Sequence, residues 1–128
     1  MFRNILLVDD DDELRLAIDR QLEEAGCEVI VATSGEEAVG LLAEPIRVDV
    51  LLTELRLSDI DGRELAWAVS QKRPFVRIAY MGRQSPAEPL DPADAPFLIK
   101  PFTRSALADA LARAAPLRRA GSQGTPSS

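Results

Sequence analysis

The stretch Asp49-Val50-Leu51-Leu52-Thr53-Glu54-Leu55-Arg56-Leu57-Ser58-Asp59-Ile60-Asp61-Gly62 decides the fold. Val50, Leu51 and Leu52 form an unbroken apolar run, the pattern of a strand covered on both faces in a parallel sheet. The run stops at Thr53-Glu54, so a carboxylate emerges where the strand ends. Ser58, Asp59, Asp61 and Gly62 then make a polar turn ahead of the next apolar helix. Ligands of open α/β sheets bind outside the carboxyl ends of the strands. That rule places Glu54 where chemistry is expected.

Toward the N-terminus, Ile5 to Val8 repeat the buried-strand pattern and run into Asp9-Asp10-Asp11-Asp12-Glu13. Leu14, Ile18 and Leu22 follow at helical spacing, and Gly26 supplies a stop. Asp11 or Asp12 can cap that helix, where negative charge suits the N-terminal end. Capping leaves Asp9 and Asp10 unexplained at the end of the strand. Glu28 to Val31 reads as a further strand, and Ser34 and Glu37 have capping-box spacing ahead of Ala38, Leu41 and Leu42. Pro45 ends that helix.

Toward the C-terminus, a helix from about Gly62 carries Leu65, Ala68 and Val69, with Trp67 beside the stripe as packing. Phe75 to Met81 reads as a strand ending at Gly82. Pro86, Pro89, Pro92 and Pro96 then predict a short or missing helix, because an interior proline costs about 3 kcal/mol. At most one turn is expected around Ala87 to Leu90. Phe97 to Ile99 give a fifth strand, closed by Lys100-Pro101. Thr103 caps a last helix with Leu107, Ala110, Leu111 and Ala114 on its apolar face. The prediction is one domain over residues 1–115, followed by a disordered Gly/Ser/Pro-rich tail over 116–128. Strands alternating with helices specify a three-layer α/β domain with a parallel five-stranded sheet and right-handed crossovers.

Composition narrows the function classes. A chain of 128 residues with 46% hydrophobic residues suits a single domain with its own core. No apolar run approaches the roughly 20 residues that span a bilayer. The N-terminus has no signal-peptide anatomy, so a cytoplasmic location is expected. A lone cysteine, Cys27, excludes an internal disulfide, and the absence of histidine excludes His-based acid–base catalysis and His-ligated metals. A net charge of −6 argues against nucleic acid as the main partner. With no nucleophile–base pair, no enzyme is expected.

Three strand ends thus bring Asp9 and Asp10, Glu54 and Lys100 toward one crevice. Clustered carboxylates need a cation or a lysine to offset their repulsion. A Mg²⁺-type oxygen site beside a lysine is the arrangement that handles a phosphoryl group. The strand before Asp9-Asp10, the block from Asp49 to Gly62 and the ending Lys100-Pro101-Phe102, in that order, resemble the receiver domain of bacterial two-component response regulators. The likeness covers residues 4 to about 115.

The resemblance implies a flavodoxin-like (βα)5 fold with strand order 2-1-3-4-5. It implies Mg²⁺ binding by Asp9 and Asp10, and a phosphoacceptor at position 54 served by a histidine kinase. Lys100 would contact the phosphate and be followed by a cis peptide bond at Pro101. Gly82 would stand at the Ser/Thr switch position and Phe97 at the aromatic switch, with the ring preferring its buried rotamer. Two of these positions depart from the family pattern. The acceptor is glutamate where the family has aspartate, and Gly82 has no hydroxyl. Ser58 also replaces a common proline.

One extra methylene moves the Glu54 carboxylate outward by roughly 1.5 Å. A misplacement of about 1 Å can cost on the order of 10²-fold in rate. Efficient phosphorylation at Glu54 is therefore not expected, and Asp49, Asp59 and Asp61 belong to turns. Glu54 can mimic a phospho-aspartate, pair with Lys100, or help hold a metal. The pairing is preferred over the mimic because glycine has no hydroxyl to draw in. Mg²⁺ binding, if any, is expected to be weak.

The leading expectation is a pseudo-receiver, an interaction module for a protein such as a histidine kinase, phosphotransfer protein or regulator. No output domain follows in the sequence, so its effect is expected to pass through a separate protein. The first and last helices and the face around residues 83–99 are the expected surfaces. The alternative is a conventional phospho-accepting receiver in a phosphorelay. A nucleotide-binding domain is disfavoured because no Gly-rich loop follows the first strand.

Overall fold

The computed structural model describes residues 3–117. In chain order the elements are β1 Asn4–Val8, α1 Asp12–Glu24, β2 Glu28–Ala32, α2 Gly35–Leu41, β3 Val50–Glu54, α3 Gly62–Lys72, β4 Arg77–Gly82, β5 Phe97–Ile99, α4 Arg104–Arg113 and β6 Ala115–Pro116. The first five strands pair in parallel in the order β2-β1-β3-β4-β5. The flavodoxin-like strand order expected from the sequence is the one observed.

Side chains alternate across a strand, so one apolar run feeds two cores. Leu6, Val8, Leu51, Ile78 and Tyr80 face α2 and α3, meeting Ala38, Leu65 and Val69. Ile5, Leu7, Val50, Leu52 and Met81 face α1 and α4, meeting Ile18, Leu22, Leu107 and Leu111. Both faces of the sheet are covered, which is why these strands read as continuous hydrophobic runs.

Polar caps fix where the helices begin. Asp11 caps α1, its side chain accepting from Leu14 N, and Thr103 caps α4 by accepting from Ala106 N. Ser34 accepts from Glu37 N at the start of α2, while Glu37 reaches back to Thr33 N rather than to Ser34. The three aspartates around the central strand are all committed to scaffolding. Asp49 accepts from Asn4 N, Asp59 from Gly35 N and Glu36 N, and Asp61 forms a capping box with Glu64. At Gly62 a Cβ would lie 2.6 Å from the Glu54 carbonyl oxygen and 2.9 Å from Leu55 Cα. Only glycine lets α3 start against the end of β3, which holds Glu54 at the crevice.

Residues 83–96 contain no helix, as the prolines required. The loop is fastened from below: the Tyr80 hydroxyl donates to Asp91 O at 2.5 Å, and Arg63 Nη1 donates to the Glu88 and Pro89 carbonyls at 3.4 and 3.2 Å. Burial pushes the Tyr80 hydroxyl pKa far up, with Asp91 adding to the effect. Both Asp91–Pro92 and Lys100–Pro101 are cis; the second was expected and the first was not.

Three expectations need correction. Trp67 is 56% exposed and Phe75 is 90% exposed, outside the strand that begins at Arg77. The ordered chain does not end at residue 115. Ala115 and Pro116 pair antiparallel with Ile78 and Arg77, and Leu117 is buried in the core under α2 and α3. The reason lies in β5, whose three residues cover only Tyr80 to Gly82 and leave the first half of that β4 edge open. A proline is tolerated on such a short edge strand. The remainder of the expected tail, 118–128, lies outside the described residues.

Leu117→Ala should therefore lower stability by about 2–3 kcal/mol, read as a fall in urea midpoint at constant m-value. Trp67→Ala should stay within about 0.5 kcal/mol in the same assay.

Candidate functional site

The crevice outside the carboxyl ends of β1, β3, β4 and β5 encloses about 700 Å³. At its base Lys100 Nζ donates to Asp9 Oδ2 at 2.9 Å and also to Glu54 Oε1. All three side chains are buried, with residue exposures of 1% for Asp9, 9% for Glu54 and 8% for Lys100. Asp9 follows β1, Glu54 is the last residue of β3, and Lys100 follows β5 with its N–H on Gly82 O at 2.8 Å. Parallel register alone brings these three distant positions together.

Asp10 does not join them. It is exposed, and its Oδ2 accepts from Ser58 N at 2.9 Å, tying the end of β1 to the loop after β3. The expected acidic pair is therefore split: one member is buried with the lysine and the other braces a loop.

Gly82 and Glu54 fit each other. A Cβ on Gly82 would lie 3.4 Å from Glu54 Oε2 and 3.0 Å from Phe97 Cζ. The missing side chain leaves room for the Phe97 ring, which is half-buried over the glycine, while a Cβ would meet the Glu54 carboxylate at ordinary contact distance. Close packing makes such paired volume changes felt together.

Electrostatics follow from the count of charges: two carboxylates meet one ammonium, leaving a net −1 below the surface. Burial raises the Glu54 pKa and the charge of Asp9 adds to this, while the hydrogen bond from Lys100 only partly opposes it. For Lys100, burial works against the charged form, but hydrogen bonds to Glu54 and Asp9 outweigh it and raise the pKa. The expected metal donors do not form a cage in this arrangement. Asp9 Oδ1 accepts from Asp11 N, Asp9 Oδ2 and Glu54 Oε1 hold the ammonium, and Asp10 serves Ser58. No group of three acidic, His or Cys side chains suited to a metal occurs among the described residues. In this arrangement the Lys100 ammonium occupies Asp9 Oδ2 and Glu54 Oε1, and one negative charge remains uncompensated.

The crevice also contains residues the sequence reading missed. Arg56, Arg63 and Arg83 line it, and Arg83 Nη2 pairs with Asp11 Oδ2 at 3.2 Å, bridging the end of β4 to the start of α1. Asp11 has a lowered pKa, chiefly because it accepts from the Leu14 backbone N–H. Arg83 directly follows a strand end, the same signal that pointed to Asp9 and Lys100.

Lys100→Met would leave two buried carboxylates without their cation and should cost about 3–5 kcal/mol. Glu54→Gln keeps an acceptor for the ammonium and removes the net charge, so it should be neutral or stabilising at pH 7. A raised folded pKa means stability present below the unfolded value and lost as pH rises through the folded one. For Glu54 that loss begins near its unfolded value of about 4.3, and for Lys100 near about 10.4. Urea unfolding across pH should show the loss that sets in as pH rises above about 4.3 absent in Glu54→Gln, and the alkaline loss smaller but still present through Asp9.

Residues 5–112 match the response regulator receiver domain family. The transcriptional regulatory protein PrrA of Mycobacterium tuberculosis is 31% identical over 129 residues, covering 97% of this chain and 54% of PrrA. The response regulator protein FleR of Pseudomonas aeruginosa is 29% identical over 117 residues, covering 88% of this chain and 24% of FleR. The chain thus spans about half or less of the length of these curated relatives. Among solved structures, the chemotaxis response regulator CheY4 of Vibrio cholerae superposes with a TM-score of 0.74 at 27% identity, covering 88% of this chain and 98% of CheY4. TrrA of Thermotoga maritima, solved in complex with Mg(2+)-BeF, shares the fold with a TM-score of 0.75 at 24% identity, covering 86% of this chain and 96% of TrrA. With the strand order and the crevice of Asp9, Glu54 and Lys100 in place, the match over residues 5–112 makes this chain a member of the response regulator receiver domain family.

Proposed function

We infer that this receiver domain works as a pseudo-receiver: a protein-interaction module of two-component signalling that operates without the usual phosphorylation switch. One observation carries the reading. Lys100, the residue that in the family meets the phosphate, is already buried between Asp9 and Glu54. A phosphoryl group entering the crevice would have to break that pair and find an acceptor one methylene too long, with no hydroxyl at position 82. In-line transfer depends on positioning, so each mismatch acts on the rate.

The pair also bears on what Glu54 does. Acting as a phosphate mimic requires a hydroxyl to be drawn toward the charge, and Gly82 offers none. Neutralising Lys100 and closing the base of the crevice is the role we assign to it. The partner is a protein such as a histidine kinase, a phosphotransfer protein or a regulator, met in the cytoplasm. No helix among the described residues is long and apolar enough to cross a membrane. The outer faces of α1 and α4 and the proline-rich loop 83–96 are the surfaces where that partner would read the domain.

Incubation with Mg²⁺ and acetyl phosphate, followed by intact mass measurement, tests the reading. No added phosphoryl mass is expected on the parent chain, whereas the double variant Glu54→Asp/Gly82→Ser should acquire one. A stable phosphoryl gain on the parent that disappears in Asp10→Asn would establish the conventional phospho-receiver instead.

A further inference from the structure

The opposite end of the sheet carries the opposite charge. Around the amino ends of β1, β3 and β4 lies an open depression of about 410 Å³, lined by Arg3, Arg47, Lys72, Arg73 and Arg77. Asp49 is the one carboxylate in that lining, and it pairs with Arg47 at 3.3 Å. Five cations against one anion stand out in a chain whose net charge is −6. With 21 acids to 15 bases in the chain, random scatter would put slightly more acids than bases there.

Three of the guanidinium groups are held in place by carbonyls rather than by acids. Arg73 Nη2 donates to the Leu42, Glu44 and Ile46 carbonyls at 3.2, 3.2 and 3.4 Å. Arg77 Nη1 donates to Ala114 O at 3.1 Å, and Arg3 Nη1 to Leu111 O at 2.5 Å. These bonds close the ends of α2 and α4 and fix the side chains, yet they leave the charges unneutralised. An incoming anion therefore meets ordered arginines and loses less side-chain entropy on binding.

Beside the cations stands Phe75, 90% exposed between Pro74 and Val76. A large aromatic residue left in water gains by being covered, at about 25 cal/mol per Å². Exposed aromatic and arginine side chains together are the composition of protein-interface anchors.

We propose that this depression at the amino ends of the strands is a docking surface for an acidic segment of a protein partner, its carboxylates on the arginines and an apolar side chain against Phe75. The inference rests on the reading of the domain as a protein-interaction module and names a surface outside the crevice. The acid-lined crevice and the basic depression lie at opposite ends of the strands. A partner bound here leaves Lys100 and its two carboxylates undisturbed.

The test uses the full 128-residue chain. A labelled peptide of Glu and Asp with one central Leu is titrated with the protein and followed by fluorescence anisotropy and by amide shift mapping. Binding is expected to perturb residues 47–50 and 72–77 and to weaken as salt rises from about 50 to about 200 mM. Arg47→Glu/Lys72→Glu, exposed positions that close no helix end, should weaken it by about tenfold or more. Phe75→Ser should weaken it by about fivefold, and a peptide with the central Leu replaced by Ser should lose the same increment.

Absent binding, binding that these variants leave unchanged, or shifts confined to the crevice would overturn the proposal. Tighter binding of a single-stranded oligonucleotide of equal charge would also overturn it, as would self-association abolished by the same variants. A phosphoryl gain in the intact-mass assay would remove the interaction-module reading while leaving these titrations standing. A null titration with no mass gain would remove this surface alone.

Discussion

A single ammonium shared by two carboxylates, all three buried, is the constraint on which this domain turns. Removing charged groups from water is costly, and mutual attraction offsets the cost only when the geometry is good. Here the geometry is supplied by three strands. β1 ends one residue before Asp9, β3 ends at Glu54, and β5 ends one residue before Lys100. A slip of one residue in any of them would turn a charged side chain into an apolar core. The parallel register and the ion cluster thus support each other.

The same cluster links the unusual residues into one set. Glutamate at position 54 reaches the lysine directly, and glycine at position 82 leaves the space that the Phe97 ring occupies. A side chain at position 82 would press on the Phe97 ring, its Cβ lying 3.0 Å from Phe97 Cζ. Taken together the two residues give a packed corner in which one ammonium meets two carboxylates.

The edge of the sheet shows a second exchange. Where prolines prevent a helix after β4, the chain crosses as a loop fastened by Tyr80 and Arg63, and the short β5 leaves part of β4 unpaired. β6 fills that gap and carries Leu117 into the core. Unpaired strand edges invite wrong partners, so covering one protects solubility as well as stability. Residues 115–117 belong to the domain for that reason.

Much of this was legible in the amino-acid sequence. The apolar runs at Ile5–Val8 and Val50–Leu52 fixed two central strands, Ser34 and Thr103 marked two helix starts to the residue, and Asp11 or Asp12 narrowed a third. The prolines between 86 and 96 limited any helix there to a short turn, because missing N–H groups and ring clashes are local effects. Strand-end logic singled out Asp9, Asp10, Glu54 and Lys100, of which Asp10 does not join the cluster.

Tertiary structure alone decided how those groups share their bonds. It sent Asp10 to Ser58 instead of to the lysine, exposed Trp67 and Phe75, and drew Ala115 to Leu117 into the sheet. Each outcome depends on which backbone edge or neighbouring side chain lies within a few ångströms. A pattern of residue types along the chain does not contain that information until the strands are laid side by side.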